Sequence, residues 1–331
     1  MSAPATQRRL LSASVTLILA VSCDCATDPA GACDSPALTV LVDASGSQLL
    51  AVPAGITRWT TLRGALFGAA GRCAEAERDG SQLLCGATVD ACELLGRAGM
   101  TDASCDAVCG SVGLACASAR TFEGVMSARR CTPELGTPAA CDAAGGVRRC
   151  RCTGATGRAN DGALRRWEDR AELALATYTT SDFEDRLTCL GPAEGTLEPR
   201  LGAGDALASF LDARHPSGGT PTAEALEEVL PALEARAAAG QRAALVVLTD
   251  GAPAGCGLDG TAETEARIAL GLERGVRTYV MGLGADEALV PILQRLAAAG
   301  GGGDLQLRVS SDEEALRAHL DAVLAREAAC P

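Results

Sequence analysis

Three short apolar runs constrain this chain more than anything else in it. They are Ala37-Leu-Thr-Val-Leu-Val42, Arg242-Ala-Ala-Leu-Val-Val-Leu-Thr249 and Val276-Arg-Thr-Tyr-Val-Met-Gly-Leu283, six to eight residues each. A strand with one wet face alternates, so a near-continuous run of this length reads as a strand covered on both faces. Residues 171–178 form a weaker run of the same kind, and 304–309 alternate like an edge strand. Helical patterns lie between them, at 57–72, 222–239, 263–274, 286–298 and 312–326. In the second of these, Ala225, Leu226, Val229, Leu230 and Leu233 share one face, and Pro231 predicts a kink or break. Ser311-Asp-Glu-Glu314 reads as a capping box opening the last helix. Strands alternating with helices predict a doubly wound α/β fold, with a mostly parallel central sheet flanked by helices.

The stretch 73–166 breaks the pattern. It holds ten of the 16 cysteines and little periodic apolar sequence, so it cannot build much of a core from apolar side chains. We read it as a Cys-rich, disulfide-stapled insertion into a domain spanning 36–328. Zinc is the competing use, because Cys105/Cys109 and Cys150/Cys152 are close pairs. Structural zinc sites favour two pairs at regular two-to-four-residue gaps, and the even count favours disulfides. Pairing inside the stretch is not readable from spacing. Trp59 and Trp167 flank it and read as packing anchors.

The start of the chain points to export. Arg8 and Arg9 precede an apolar stretch from Leu10 to Val21, too short to span a bilayer, which needs roughly 20 residues. Ala20-Val21-Ser22-Cys23 then resembles a bacterial lipobox, with Ala standing where Leu is usual. The expectation is a signal peptide over 1–23, a lipid on Cys23 and a linker over 24–35. The chain would then be a membrane-anchored lipoprotein of the cell envelope, or otherwise secreted. Abundant cysteine agrees with an oxidising compartment, and a lipidated Cys23 leaves an odd number of the others.

All 29 basic residues are arginine, against 42 acidic ones. Removing Arg8 and Arg9 leaves 27 basic groups, and a surface this acidic excludes nucleic acid or an anionic bilayer as a charge-driven partner. Contact with a membrane is expected through a lipid anchor only.

Three motifs fall at the ends of predicted elements. Asp43-Ala-Ser-Gly-Ser47 follows the first strand, Gly218-Gly-Thr-Pro-Thr222 precedes a helix, and Thr249-Asp-Gly251 ends the strand 242–249. Ligand sites of open parallel sheets gather at the carboxyl ends of strands. Two carboxylates and three hydroxyls therefore converge on one edge, and every donor is a hard oxygen, which selects magnesium, manganese or calcium over zinc or copper. Hydroxyl ligands keep the formal charge low, so the ion stays able to accept another anionic oxygen.

In type and order these motifs resemble the metal-ion-dependent adhesion site of the von Willebrand factor type A (VWA) family. Asp43, Ser45 and Ser47 match its DxSxS element, Asp250 its final aspartate, and Thr220 its threonine, with Thr222 as the alternative. The resemblance implies one divalent cation, Mg2+ before Mn2+ or Ca2+. Ser45 and Ser47 would bind it directly, Asp43 mainly through water, and Thr220 and Asp250 in exchangeable fashion. The open position would take an Asp or Glu carboxylate from a protein ligand. One departure is the gap of 173 residues from Ser47 to Thr220, which the insertion accounts for. Chain ends that lie close in such a fold would allow a Cys33–Cys330 disulfide, and Cys189–Cys256 is a second candidate. By resemblance, the first of these would restrict movement of the last helix.

The function read from this is an extracytoplasmic, metal-dependent protein-binding module, not an enzyme. His215 and the other histidine lie outside the motifs, and His215 reads as a solvated loop residue. A hydrolase with an Asp nucleophile after its first strand would carry a second Asp at position 45, where this chain has Ser45. Nucleotide binding would need a Gly-rich turn that 43–49 lacks. The run Gly300 to Gly303 follows a helix and reads as a stop, not a phosphate cradle. The alternatives are a structural envelope lipoprotein whose metal only stabilises the fold and, further off, a hydrolase.

Overall fold

A computed structural model describes residues 34–53, 55–78, 81–88, 90–96, 103–124, 135–179, 194–254, 260–305, 307–310 and 312–329. The expectations for Cys23, Cys33, Cys189, Cys256 and Cys330 lie outside these residues. In chain order the elements begin with β1 (Ala37–Asp43), α1 (Arg58–Phe67), α2 (Arg72–Arg78), β2 (Gln82–Ala87) and β3 (Ala91–Gly96). Next come α3 (Cys105–Ser111), β4 (Ala115–Phe122), β5 (Thr137–Ala139), β6 (Val147–Thr153), α4 (Ala163–Trp167) and β7 (Glu172–Tyr178). Then follow β8 (Glu194–Arg200), α5 (Gly204–Asp212), α6 (Thr222–Ala238), β9 (Ala243–Thr249) and α7 (Gly260–Glu273). The last are β10 (Val276–Leu283), α8 (Val290–Ala299), β11 (Leu307–Ser310) and α9 (Glu313–Ala328).

β1 is mostly apolar because both its faces are covered. Leu38, Val40 and Val42 enter one core cluster, and Ala37 and Leu41 enter the other. The strand lies inside a six-stranded sheet of order β11-β10-β9-β1-β7-β8, in which only the β7–β8 pairing is antiparallel. Trp59, Leu62, Leu66 and Phe67 of α1 close one face with Leu207 of α5 and Leu316 and Leu320 of α9. Leu226, Val229 and Leu233 of α6 close the other with Ile268 of α7 and Leu293 of α8. Each such side chain contributes roughly 1.5–3 kcal/mol by leaving water. This is the doubly wound α/β fold the apolar runs predict.

The insertion forms its own antiparallel sheet, β2-β3-β6-β4-β5, with α2 and α3 beside it. Cysteines make up a large share of its core. Disulfides join Cys73–Cys92, Cys105–Cys150, Cys109–Cys152 and Cys116–Cys141. The close pairs that raised the zinc alternative are cross-linked one to one. Cys105 and Cys109, one turn apart on α3, meet Cys150 and Cys152, which stand on one face of β6. Leu83, Leu94, Val108 and Leu114 fill in around them.

The insertion is fastened to the main sheet's helices at both ends. Gly68, at φ +110°, ends α1 where a Cβ would come within 2.2 Å of the Ala159 carbonyl oxygen. On the return, Asp161 pairs with Arg317 at 2.9 Å, and Trp167 Nε1 donates to Asp321 at 3.1 Å. Arg166 joins the same carboxylate. The insertion's exit and return thus bracket α1 and strap α9.

Several expectations need correction. The first helix does not run over 57–72; it ends at Phe67, and α2 starts afresh at Arg72. α6 runs through Pro231 without a break. Pro231 is exposed there, so water can reach the backbone group it leaves unbonded. The last helix is capped by Asp312, whose carboxylate accepts from Ala315 N at 2.8 Å, and Ser311 lies outside the described residues. The edge strand is the shorter Leu307–Ser310, after a 3-10 turn at Gly303–Leu305. β8 and α5 are additional elements. Among the described residues, no helix is long and apolar enough to cross a membrane.

Candidate functional site

β1 and β9 are neighbours in register, so Asp43 and Thr249 leave the sheet side by side at its carboxyl edge. Asp43 is fully buried. Its Oδ1 accepts from Ser45 N at 2.8 Å, an Asx turn that folds the motif back on itself. Its Oδ2 accepts from Thr249 Oγ1 at 2.8 Å. Ser45 Oγ lies 2.9 Å from Ser47 Oγ, and Ser47 Oγ donates to Asp250 Oδ1 at 2.7 Å. Ser45, Ser47 and Asp250 thus form one chain of oxygens, and Asp43 is joined to it through the Ser45 backbone N–H.

Thr220 enters through its backbone. Gly46 N donates to Gly218 O at 3.1 Å, Ser217 N to Ala44 O at 2.8 Å, and Ala254 N to Thr220 O at 2.9 Å. All three motif loops are therefore stitched together. Gly218 takes φ +69°, a left-handed value that glycine adopts without strain. Thr222, the alternative threonine, opens α6, and its hydroxyl reaches Tyr178 OH at 3.4 Å.

Burial, and next the Asp250 carboxylate, pushes the Asp43 carboxyl up to about 7, while hydrogen bonds from Ser45 and Thr249 pull it down. Burial and then Asp43 raise the Tyr178 hydroxyl well above the usual phenol range. Both shifts report surplus negative charge in a dry place. The only cation hydrogen-bonded to either carboxylate among the described residues is Arg58. Its Nη1 donates to Asp250 Oδ2 at 2.6 Å, and its Nη2 to Gly284 O at 2.7 Å. Of the two buried carboxylates, Asp250 is paired with a guanidinium, while Asp43 is held by the Ser45 N–H and the Thr249 hydroxyl. The donor set fits a small hard cation in both oxygen chemistry and charge.

Arg58 is the member that motif reading passes over. Thr249 was legible in the T-D-G string. Arg58 carries no signal, because it is 11 positions beyond Ser47 on a buried helix.

Other candidate groups resolve differently. His215 is half-buried, not a solvated loop residue. Ser310 Oγ lies 2.9 Å from His319 Nδ1 on the edge strand, but Ser310 is 3% exposed, and burial lowers the imidazole's pKa. That hydroxyl is closed to a substrate. Asp106 stands beside Cys116 and Cys141, whose sulfurs are bonded to each other and do not bind metal. Trp59 is fully buried and Trp167 packs against the same cluster, as packing anchors do. Gly300 caps α8 where a Cβ would meet Thr278 O at 2.2 Å, so the glycine run is a helix stop.

No protein-family model matches the chain, and no curated protein matches it. Solved structures do. The pilus adhesin SpaC from Lactobacillus rhamnosus GG aligns at 10% identity over 89% of this chain, with a TM-score of 0.47. The chain spans 31% of that adhesin, and 26% of its open conformation. The manganese-loaded TRAP protein of Plasmodium vivax aligns at 14% identity, over 88% of this chain and 74% of that one, with a TM-score of 0.42. The SpRpn10 VWA domain aligns at 9% identity, over 88% and 95%, with a TM-score of 0.38.

Proposed function

We propose that this chain is an extracytoplasmic protein-recognition module of the VWA class. Asp43, Ser45, Ser47, Thr220 and Asp250 would hold one divalent cation, Mg2+ before Mn2+ or Ca2+. A partner protein would add an Asp or Glu carboxylate. The observation that carries this reading is the Ser47 hydroxyl, which contacts Ser45 and donates to Asp250, 203 positions further along. Two motifs far apart in the chain meet there as one cluster of hard oxygens with surplus negative charge.

The ion, when bound, supplies an electrophilic position for an anionic oxygen from outside. Ser45 and Ser47 contribute lone pairs without charge, while Asp43 and Asp250 supply the charge. Thr249 holds Asp43 in place from the neighbouring strand. Thr220, with its backbone tied to Ala254, faces the cluster from the α6 side in this reading. Nothing in the reading requires a nucleophile or a proton transfer; it describes binding without turnover. The four disulfides among the described residues support export to an oxidising compartment. We place the chain at the cell envelope, held by a lipid on Cys23.

The burial of Asp43, Ser45 and Asp250 favours a second reading, in which the ion serves only the fold. Calorimetric titration of the chelator-stripped full chain with magnesium and manganese, beside Asp43→Ala, tests the site. Saturable one-to-one binding that the variant loses is the expected result. Absence of binding by the folded wild-type chain would overturn the proposal. Unfolding on chelation would favour the second reading.

A further inference from the structure

Arg58 occupies a built seat at this site. Its guanidinium spans two elements, donating to Asp250 at 2.6 Å and to the Gly284 carbonyl at 2.7 Å. Gly284 takes φ +59°, and a Cβ there would stand 2.9 Å from Arg58 Nε, so the seat needs the bare glycine. Arg58 is also placed from behind. It is the first residue of α1, whose N-cap Thr57 is held by Glu77 of the insertion. The Asp250 side chain is fully buried and that of Arg58 is 16% exposed, so the guanidinium stands at the wetter side of the carboxylate.

Both Asp250 oxygens are engaged, Oδ1 by Ser47 and Oδ2 by Arg58. A hydroxyl can turn and share its lone pairs with an ion. A guanidinium has no lone pair to offer and carries like charge. An ion bound through Asp250 therefore meets a fixed positive charge competing for the same carboxylate, in surroundings where screening is weak.

We propose that Arg58 is a tethered cation of this site: it neutralises Asp250 when no divalent ion is bound and competes with the ion for that carboxylate. The inference rests on the metal-binding reading above. It implies that ion affinity is set below what the five oxygen ligands alone would give, and that ion binding is linked to withdrawal of the guanidinium. The coupling is reciprocal, so whatever holds Arg58 in its seat weakens the ion.

The test is magnesium and manganese titration of the purified full chain by calorimetry, with thermal melts in chelator and in saturating ion. Wild type, Arg58→Met and Arg58→Lys are compared. Arg58→Met is expected to bind about tenfold tighter or better, within the usual range of coupling between two ligands. It should melt lower than wild type in chelator and gain more from the ion. Arg58→Lys, which keeps the charge but cannot bridge to Gly284 as a fork, should fall between them.

If wild type binds and Arg58→Met binds no tighter, Arg58 is only a structural ion pair; the inference fails and the metal site stands. Binding by Arg58→Met but not by wild type would support the inference in its strongest form. Binding by neither overturns the metal site and the inference together. Should Arg58→Met not fold, the Arg58 side-chain NMR signal of wild type decides. A shift on saturation with magnesium supports competition, and a signal unmoved while magnesium binds overturns it.

Discussion

The Glu77 carboxylate, on the first helix of the cysteine-rich insertion, accepts from the backbone N–H of Thr57 at 2.8 Å and from its hydroxyl at 3.2 Å. The same carboxylate accepts from Leu83 N at 3.0 Å. Thr57 is the N-cap of α1, so the insertion holds the entry of the helix that carries Arg58. Through Glu77 and Thr57 the insertion is one residue away from a side chain that touches Asp250.

Burial raises the Glu77 carboxyl above its ordinary 4.5, against the pull of the hydrogen bonds it accepts. The folded protein therefore holds this proton more tightly than the unfolded chain does. The associated stabilisation is full below about pH 4.5 and is lost as pH rises through the raised value. Glu77→Gln, which cannot ionise, should flatten that part of the curve of melting temperature against pH. An unchanged slope would place the buried proton elsewhere.

Ser47→Ala removes the hydroxyl that joins Ser45 to Asp250. Two hydrogen bonds go, one of them to a carboxylate, so the loss in stability should be about 2–4 kcal/mol. Magnesium affinity should fall as well, at least about tenfold, or about 1.4 kcal/mol. Urea denaturation and calorimetry on the same preparation separate the two effects. A large stability loss with unchanged affinity would make Ser47 a purely structural residue.

Reduction of the disulfides should melt the insertion before the main sheet. Sulfur from Cys73, Cys92, Cys105, Cys109, Cys150 and Cys152 fills much of the insertion's core, and few large apolar side chains would replace it. Removing one native disulfide from a small domain costs about 2–5 kcal/mol. Hydrogen exchange read by mass spectrometry should show protection lost over β3, β4 and β6 on reduction, with β1, β9 and β10 still protected. Simultaneous loss in both sheets would mean that the main sheet cannot stand without the insertion.

Gly162 passes so close to α1 that a Cβ would lie 2.2 Å from Phe67 N. Backbone cannot yield as a flexible side chain can, so Gly162→Ala forces the return segment away from the helix. Overpacking of this kind costs about 1–3 kcal/mol. Equilibrium denaturation should register that loss, whereas Gly157→Ala, with open space around its Cβ but φ +68°, tests backbone strain by itself.

The strands of the main sheet were legible where burial on both faces leaves a continuous apolar run, as in β1, β9 and β10. β8 was not, because Glu194-Gly-Thr-Leu-Glu-Pro-Arg200 is a polar edge strand interrupted by Pro199, and such strands lack the two-faced signal. α1 was read too long because its apolar residues continue past Phe67; Gly68 stops it only through its close approach to Ala159. At the site, Asp43, Ser45, Ser47 and Asp250 were legible because short-range turns and strand ends place them. Arg58 was hidden because its position depends on Gly284, 226 residues further along. No local pattern encodes that meeting.

β1 has a mechanical consequence. It is paired in parallel on both sides, with β7 from Ala37 to Asp43 and with β9 from Ala37 to Val42. A pull on the segment that precedes it runs along the strand axis. It loads two ladders of hydrogen bonds in shear at once, where an edge strand would peel open one bond at a time. Asp43 ends this strand, so the oxygen cluster lies at the far end of the line along which such a force enters, behind two parallel ladders.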